Sequence, residues 1–533
     1  MLYTLICAML WGVFAHGMAM FNKFSYHDDV PWFNGVGETY GLGRWFLGLS
    51  GNLTEKIFLS RNYSTPVFNG ILTLIALALI CHIIFKRLRI RNRLLVAAVT
   101  GVMVCFPAIT NIFGYIFTAP YYYIGALAGV YGAYLFYEKK TALRFFLCTF
   151  LMSLSVGLYQ SNIAINLIVL LLFMIDEIYM AKDTAWKDFF TLGALNAAVA
   201  ACFMAQYFLY NFIALKITGL AMYDYKGVSS FGRTDISGYI YRIYTAYKRF
   251  LKPADFINYN GVSANMYPWM TKYLHIALIV LTALMLALML LRMKENAAKI
   301  TQLLLLLAAS PLFAYFLYVM VEEKDAHGGM GYAEAFMVFI TAYAIERLNM
   351  TEAGNGSGTE PGTETGNETE TDTNTGTATK FALPQILTKA AVALIIVMGI
   401  MFARYANVCY LKADLMQAEA INYYNRLIER IRTTEGYTPE VPVAYINDRS
   451  KNDDDFSGNK LFDPIYLPPY QGNSIINDFS WEKTMNMWCA FSRVEPGEEE
   501  LQAISGQIEQ MPVYPSEGSV QMLDGIIVVK FAQ

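Results

Sequence analysis

The chain has 533 residues, 56% of them hydrophobic and only 16% charged, with a mean hydropathy of +0.35. Soluble domains carry about 25% charged residues, so a water-soluble globule of this length would lack the charge to cover itself. Collagen-like, disulfide-scaffold and wholly disordered classes are excluded too, and a net charge of −3 gives no general pull on nucleic acid.

What remains is a mainly α, polytopic transmembrane helical bundle. Apolar stretches of about 17–25 residues are long enough to span a bilayer. Eleven such spans are predicted, over 2–22, 66–86, 94–113, 120–137, 144–160, 162–180, 189–213, 272–292, 300–321, 330–347 and 384–403. The first lacks a basic leader and a small-x-small cleavage site, so it reads as a retained span rather than a signal peptide. The fifth and sixth meet at Gln160-Ser161-Asn162, a polar hinge suited to a tight helical hairpin.

Three segments break the apolar pattern. Residues 23–65 and 215–271 are long loops rich in Tyr, Trp, Gly and charge. Residues 351–380 form a Thr/Glu/Gly tract that cannot bury enough apolar surface to offset its ordering entropy. The resulting organisation is a transmembrane region over 1–348, a disordered cytoplasmic linker over 349–381, a last span over 382–403 and a soluble domain over 404–533. That last domain holds 19 acidic against 11 basic side chains. It predicts a helix over Leu411–Arg432 and strands over Val441–Ile446 and Gly525–Phe531, hence a small α/β cap.

Orientation follows from Lys and Arg in short loops. Lys86, Arg87, Arg89, Arg91 and Arg93 follow the second span, and Lys139, Lys140, Arg144, Lys182, Lys187, Arg292, Lys294, Lys299 and Arg347 fall on the same side. The loops at 114–119 and 160–162 carry no basic residue. The amino terminus is therefore expected in the cytoplasm and the carboxyl-terminal domain outside.

Five of the seven cysteines lie in spans as small apolar fillers, and Cys409 and Cys489 show no disulfide spacing. No CxxC, HExxH, Walker or Gly-rich dinucleotide motif stands in a fitting context. His16, His82 and His275 read as helix-packing hydrogen bonders.

Polar chemistry collects instead in the outer loops. The run Ser25-Tyr26-His27-Asp28-Asp29-Val30 places two carboxylates beside the membrane, where either Asp28 or Asp29 can act as a general base. The bland alternative is that Asp29 caps a short interfacial helix. Glu38, Arg44 and Trp45 join the same loop. Arg44 suits a phosphate, and Trp45 suits a sugar face or a headgroup anchor. Tyr121-Tyr122-Tyr123 and Tyr159-Gln160 border it. The amphipathic stretch 239–252, with Arg242, Lys248 and Arg249, suits anionic headgroups or a lipid-linked phosphate. Glu322 and Lys324 end the ninth span.

Several pieces together resemble a known family. YHDDV at 26–30, GRWF at 43–46, SVGLYQSN at 155–162, and a helix with Asp414, Ala418 and Ala420 leading into VPVAYIND at 441–448 are similar to the bacterial Gtr type II glucosyltransferases. These are serotype-converting membrane enzymes related to the GT-C class, and the resemblance covers 1–348 and 382–450. It implies transfer of a sugar, typically glucose, from a polyprenyl-phosphate donor to a cell-surface glycan such as an O-antigen. The reaction would take place at the outer face of the bacterial cytoplasmic membrane, with a first-loop aspartate as base. A divalent cation can assist in related enzymes, although no ligand set in this sequence demands one. A lipid-linked-glycan flippase or exporter, or a non-catalytic glycan-assembly protein, is the competing reading.

Overall fold

The computed structural model describes residues 1–23, 28–32, 34–224, 231–251, 268–293, 296–321, 328–355, 375–447, 476 and 479–531. The chain is a mainly helical membrane bundle with a small sheet near its carboxyl end. In order, the helices of the bundle are α1 (Leu2–Phe21), α2 (Trp45–Phe58), α3 (Pro66–Leu88), α4 (Arg93–Cys105), α5 (Pro107–Phe113), α6 (Ala119–Glu138), α7 (Ala142–Leu158) and α8 (Asn162–Met180). There follow α9 (Trp186–Thr218), α10 (Ile236–Leu251), α11 (Pro268–Leu291), α12 (Ala297–Ala314), α13 (Phe316–Met320), α14 (Val338–Asn355) and α15 (Thr375–Thr433).

Among the described residues seven helices are long and apolar enough to cross a membrane: α1, α3, α8, α9, α11, α12 and α15. An eighth arises if α4 and α5, bent by 46°, count as one span. The bend falls at Phe106-Pro107, where proline removes a backbone donor and disfavours helix in the residue before it. The other expected spans are less uniform. Tyrosines and glycines dilute the apolar content of α6, α7 has only 17 residues, and the tenth begins as a 3-10 segment over Gly328–Met337 before α14. The hairpin between α7 and α8 turns at Tyr159–Ser161, as its polar residues predict.

α8 lies deepest, with 83% of its apolar window buried, whereas α9 and α11 bury 22% and present most of their surface outward. His16 shows how the interior is joined. Its Nε2 donates to the Val104 carbonyl at 2.9 Å, its Nδ1 meets the Tyr410 hydroxyl at 2.8 Å, and its ring stacks on Phe113. One side chain so links α1, α4, α5 and α15.

The last span and the expected helix 411–432 are one element. α15 has 59 residues, or roughly 90 Å at 1.5 Å per residue, so it continues far beyond a hydrocarbon core of about 30 Å. α14 runs on to Asn355 and α15 starts at Thr375. The expected linker therefore overlaps both helices, and its middle, 356–374, lies outside the described residues.

Beyond α15, strands β1 (Val443–Ile446), β2 (Val520–Leu523) and β3 (Ile526–Lys530) form a sheet in the order β1-β3-β2. β1 runs parallel and β2 antiparallel to β3. One face packs Ala444, Ile526 and Val528 on Ile504 and Ile508, from the short helices α17 (Glu498–Ala503) and α18 (Ser505–Gln510) and their junction. On the other face Tyr445 and Phe531 meet Trp481 of α16 (Trp481–Cys489).

At the basic end of the bundle, α3, α8 and α14 share one fully buried carboxylate. Asp176 accepts hydrogen bonds from Arg87, from Arg89 at 3.0 Å and from the Tyr343 hydroxyl at 3.0 Å, and Arg347 lies 3.9 Å away. Glu177 beside it takes Lys140 at 2.5 Å. The apolar run 162–180 hid this centre from sequence reading, although Asp176-Glu177 opposite the basic turn 86–93 was its signal.

Candidate functional site

The first loop leaves α1 at Asn22 and reaches α3 at Thr65. Two polar clusters form along it. At its root Asp29 is fully buried, accepts from Ser64 Oγ at 2.5 Å and pairs with the Lys23 ammonium. Lys23 Nζ also donates to Ser64 Oγ at 2.8 Å, which closes a triangle. Gln417 of α15 donates to the Lys23 carbonyl at 3.2 Å and ties the loop to the long helix. Sequence reasoning missed Lys23 and Ser64. Lys23 was legible as the cation ending the first apolar run, but Ser64 is brought in only by the fold.

Asp28 has a different environment. It is half-buried in a turn whose carbonyl accepts the Trp32 N–H at 3.1 Å. The two aspartates that the sequence left equivalent are thus separated. One is enclosed by a lysine and a serine, and the other is half-buried.

Burial pushes the Lys23 ammonium below the usual lysine range, to about 7. Between that value and the ordinary 10.5, the unfolded chain keeps a proton that the folded chain has released, so stability rises with pH across this window. Lys23→Met is expected to flatten the rise. Thermal unfolding in detergent micelles below, within and above the window checks this, and an unchanged profile in the variant contradicts it.

The second cluster surrounds Arg44. Its Nη1 donates to the Tyr122 hydroxyl at 3.2 Å and its Nε to Gln160 Oε1 at 3.4 Å, across 116 residues of chain. The guanidinium lies 5.5 Å from the ring centre of Tyr159 and 5.8 Å from that of Tyr122. Those rings stack at 4.0 Å, nearly parallel, so a planar cation is held beside a preformed aromatic pair. Gly43 makes the approach feasible. It has φ +77°, its carbonyl accepts the Tyr207 hydroxyl at 3.1 Å, and a Cβ there would lie 2.6 Å from that oxygen. Gln160 Nε2 donates to the Leu42 carbonyl and pins the other side.

Trp45 departs from expectation. Its indole is buried, edge-on to Tyr210 at 5.3 Å and packed on Gly157, so it offers no open face to a sugar or a headgroup. A Cβ at Gly157 would lie 2.7 Å from the indole. Gly157→Ala is therefore expected to destabilise the fold by about 1–3 kcal/mol through overpacking. Unfolding of the purified variant measures this, and an unchanged midpoint contradicts it.

The remaining candidates are dispersed. Glu38 is exposed. In α10, Arg242 is buried and donates to the Met320 carbonyl at 3.2 Å, and Arg249 lies 4.2 Å over the Tyr318 ring. These two cations face α13, whereas Ile240, Tyr241 and Tyr244 are exposed and only Lys248 of the three projects outward. The helix is amphipathic as expected, but two of its basic groups serve packing. Glu322 and Lys324 lie outside the described residues. Among the described residues no group of three or more His, Cys, Asp or Glu side chains could hold a metal ion.

A family model described as Glucosyl transferase GtrII matches residues 17–345, a range that includes both clusters. No curated protein and no solved structure matches the chain.

Proposed function

From the premise that the chain belongs to the Glucosyl transferase GtrII family and is a membrane glucosyltransferase, we propose that its donor is a polyprenyl-phosphate glucose. The acceptor is a hydroxyl of a cell-surface glycan, and the reaction takes place at the outer face of the bacterial cytoplasmic membrane. The amino terminus lies in the cytoplasm and the carboxyl-terminal domain outside. The gathering of Arg87, Arg89, Arg91, Arg93 and Lys140 at one end supports that orientation.

The observation that carries the reading is the contrast between the two aspartates. Asp29 is enclosed and bound to Lys23 and Ser64, so it anchors the loop. Asp28, half-exposed on the adjoining turn, is the general base. It takes the proton of the acceptor hydroxyl as that oxygen bonds to the anomeric carbon. The bond from this carbon to the phosphate oxygen breaks, and polyprenyl phosphate leaves with the electron pair.

Arg44 is the proposed grip on the departing phosphate. Its plane is fixed by Tyr122, Tyr159 and Gln160 before substrate arrives, so little reorganisation accompanies charge development. Lys248, exposed on α10, adds positive charge beside the membrane surface.

Membranes containing the protein should incorporate labelled glucose into surface polymer. A flippase, exporter or assembly scaffold forms no glycosidic bond, and absence of new linkage to glycan overturns the reading in favour of one of these.

A further inference from the structure

At the basic end of the bundle, α4, α14 and α15 leave a cavity of about 420 Å³ between them. Its lining changes character along its length. Polar residues of the lining, among them Asn92, Thr388 and Lys389, gather toward one end, and Val392, Ala393 and Ile396 extend it along α15. Lys389, Val392 and Ile396 recur at the three- and four-residue spacing of one helix face, so polar gives way to apolar over roughly 10 Å of α15.

The surroundings say what such a slot can hold. Leu94 is 59% exposed and Ile386, one turn before Lys389, 60%, so this side of the bundle faces hydrocarbon. Arg91 and Arg93 are exposed and flank Asn92 in the chain. Glu346, 6% exposed, accepts the Asn92 backbone N–H at 3.4 Å and so lies beneath the rim. A soluble phosphate would match the cations but leave the apolar length empty, and a neutral lipid would leave the cations unanswered.

We propose that this cavity binds one anionic phospholipid from the leaflet bordering the basic end. Its phosphate meets Lys389 at the rim, and one acyl chain lies along Val392 and Ile396. Basic pockets between spanning helices select anionic headgroups by the same combination of charge and depth. The site is independent of the glucosyl-transfer chemistry, which belongs to the first loop.

The test uses the full chain, purified in detergent and equilibrated with vesicles of phosphatidylglycerol and phosphatidylcholine in equal parts. Native mass spectrometry then counts retained lipids. One phosphatidylglycerol per chain is expected to survive. Its retention should fall at least tenfold in Lys389→Glu, which reverses the rim charge, and in Ala393→Trp, which fills the cavity. Both positions are exposed, so either variant carries the test should the other fail to fold. Lys216→Glu, an exposed charge near the end of α9, should retain the lipid. Equal retention of phosphatidylcholine, or undiminished phosphatidylglycerol in the folded variants, overturns the proposal.

Discussion

Asp28→Asn is expected to lower glucosyl transfer by about a hundred- to ten-thousand-fold, the usual contribution of a positioned general base, without loss of folded protein. The side chain is half-exposed and the substitution is nearly isosteric, so the loss should fall on turnover rather than on yield. Asp29→Asn should behave otherwise. Its buried carboxylate answers the Lys23 ammonium, and an amide there would leave that cation poorly compensated and set donor against donor. Removing one member of a buried pair costs about 3–5 kcal/mol, so this variant should lose stability first and activity only through it. Transfer rates beside unfolding midpoints for both variants distinguish the roles. Full activity in Asp28→Asn, with inactive but stable Asp29→Asn, would exchange the assignments.

Asp176→Ala should give a comparable loss of stability, again about 3–5 kcal/mol. Its carboxylate is fully buried among Arg87, Arg89 and Arg347 and accepts the Tyr343 hydroxyl, so truncation strands several cations at once. Transfer per folded chain should be unchanged, because Asp176 stands roughly 20 Å along α8 from Asn162, at the hairpin that carries Gln160, at 1.5 Å per residue. Unfolding in detergent measures the first effect and specific activity the second. A shift below about 1 kcal/mol would show that the arginines are compensated by solvent rather than by Asp176.

Much of the architecture could be read from local pattern. The hinge at Gln160 lies between two apolar runs and forms the expected hairpin. The β-branched residues at 441–446 and 525–531 pair as β1 and β3. The continuity of α15 was not read, although no proline interrupts the chain between Pro384 and Pro439. The polar residues between its apolar stripes suggested a break that helix geometry does not require. Span count was less legible because the bend at Pro107 and the 3-10 turns before α14 shorten otherwise apolar segments.

The site divided along the same line. Residue types in the first loop announced acid–base and phosphate chemistry, but the difference between Asp28 and Asp29 depends on Ser64, 35 residues away from Asp29, and on Gln417, 394 residues from Lys23. Trp45 carried the composition of a sugar platform and became packing because Gly157 lies directly against it. Arg242 likewise carried a headgroup signal and was drawn inward by the Met320 carbonyl. Such long-range partners leave no periodic trace in sequence.

The most direct measurement offers the purified full chain, reconstituted in vesicles with acceptor glycan, radiolabelled glucose either on polyprenyl phosphate or on a nucleotide diphosphate. Label should pass to the glycan from the lipid donor and not from the nucleotide donor. Transfer from the nucleotide donor alone would contradict the proposed chemistry, and with it the place of Arg44 as the grip on a departing lipid phosphate.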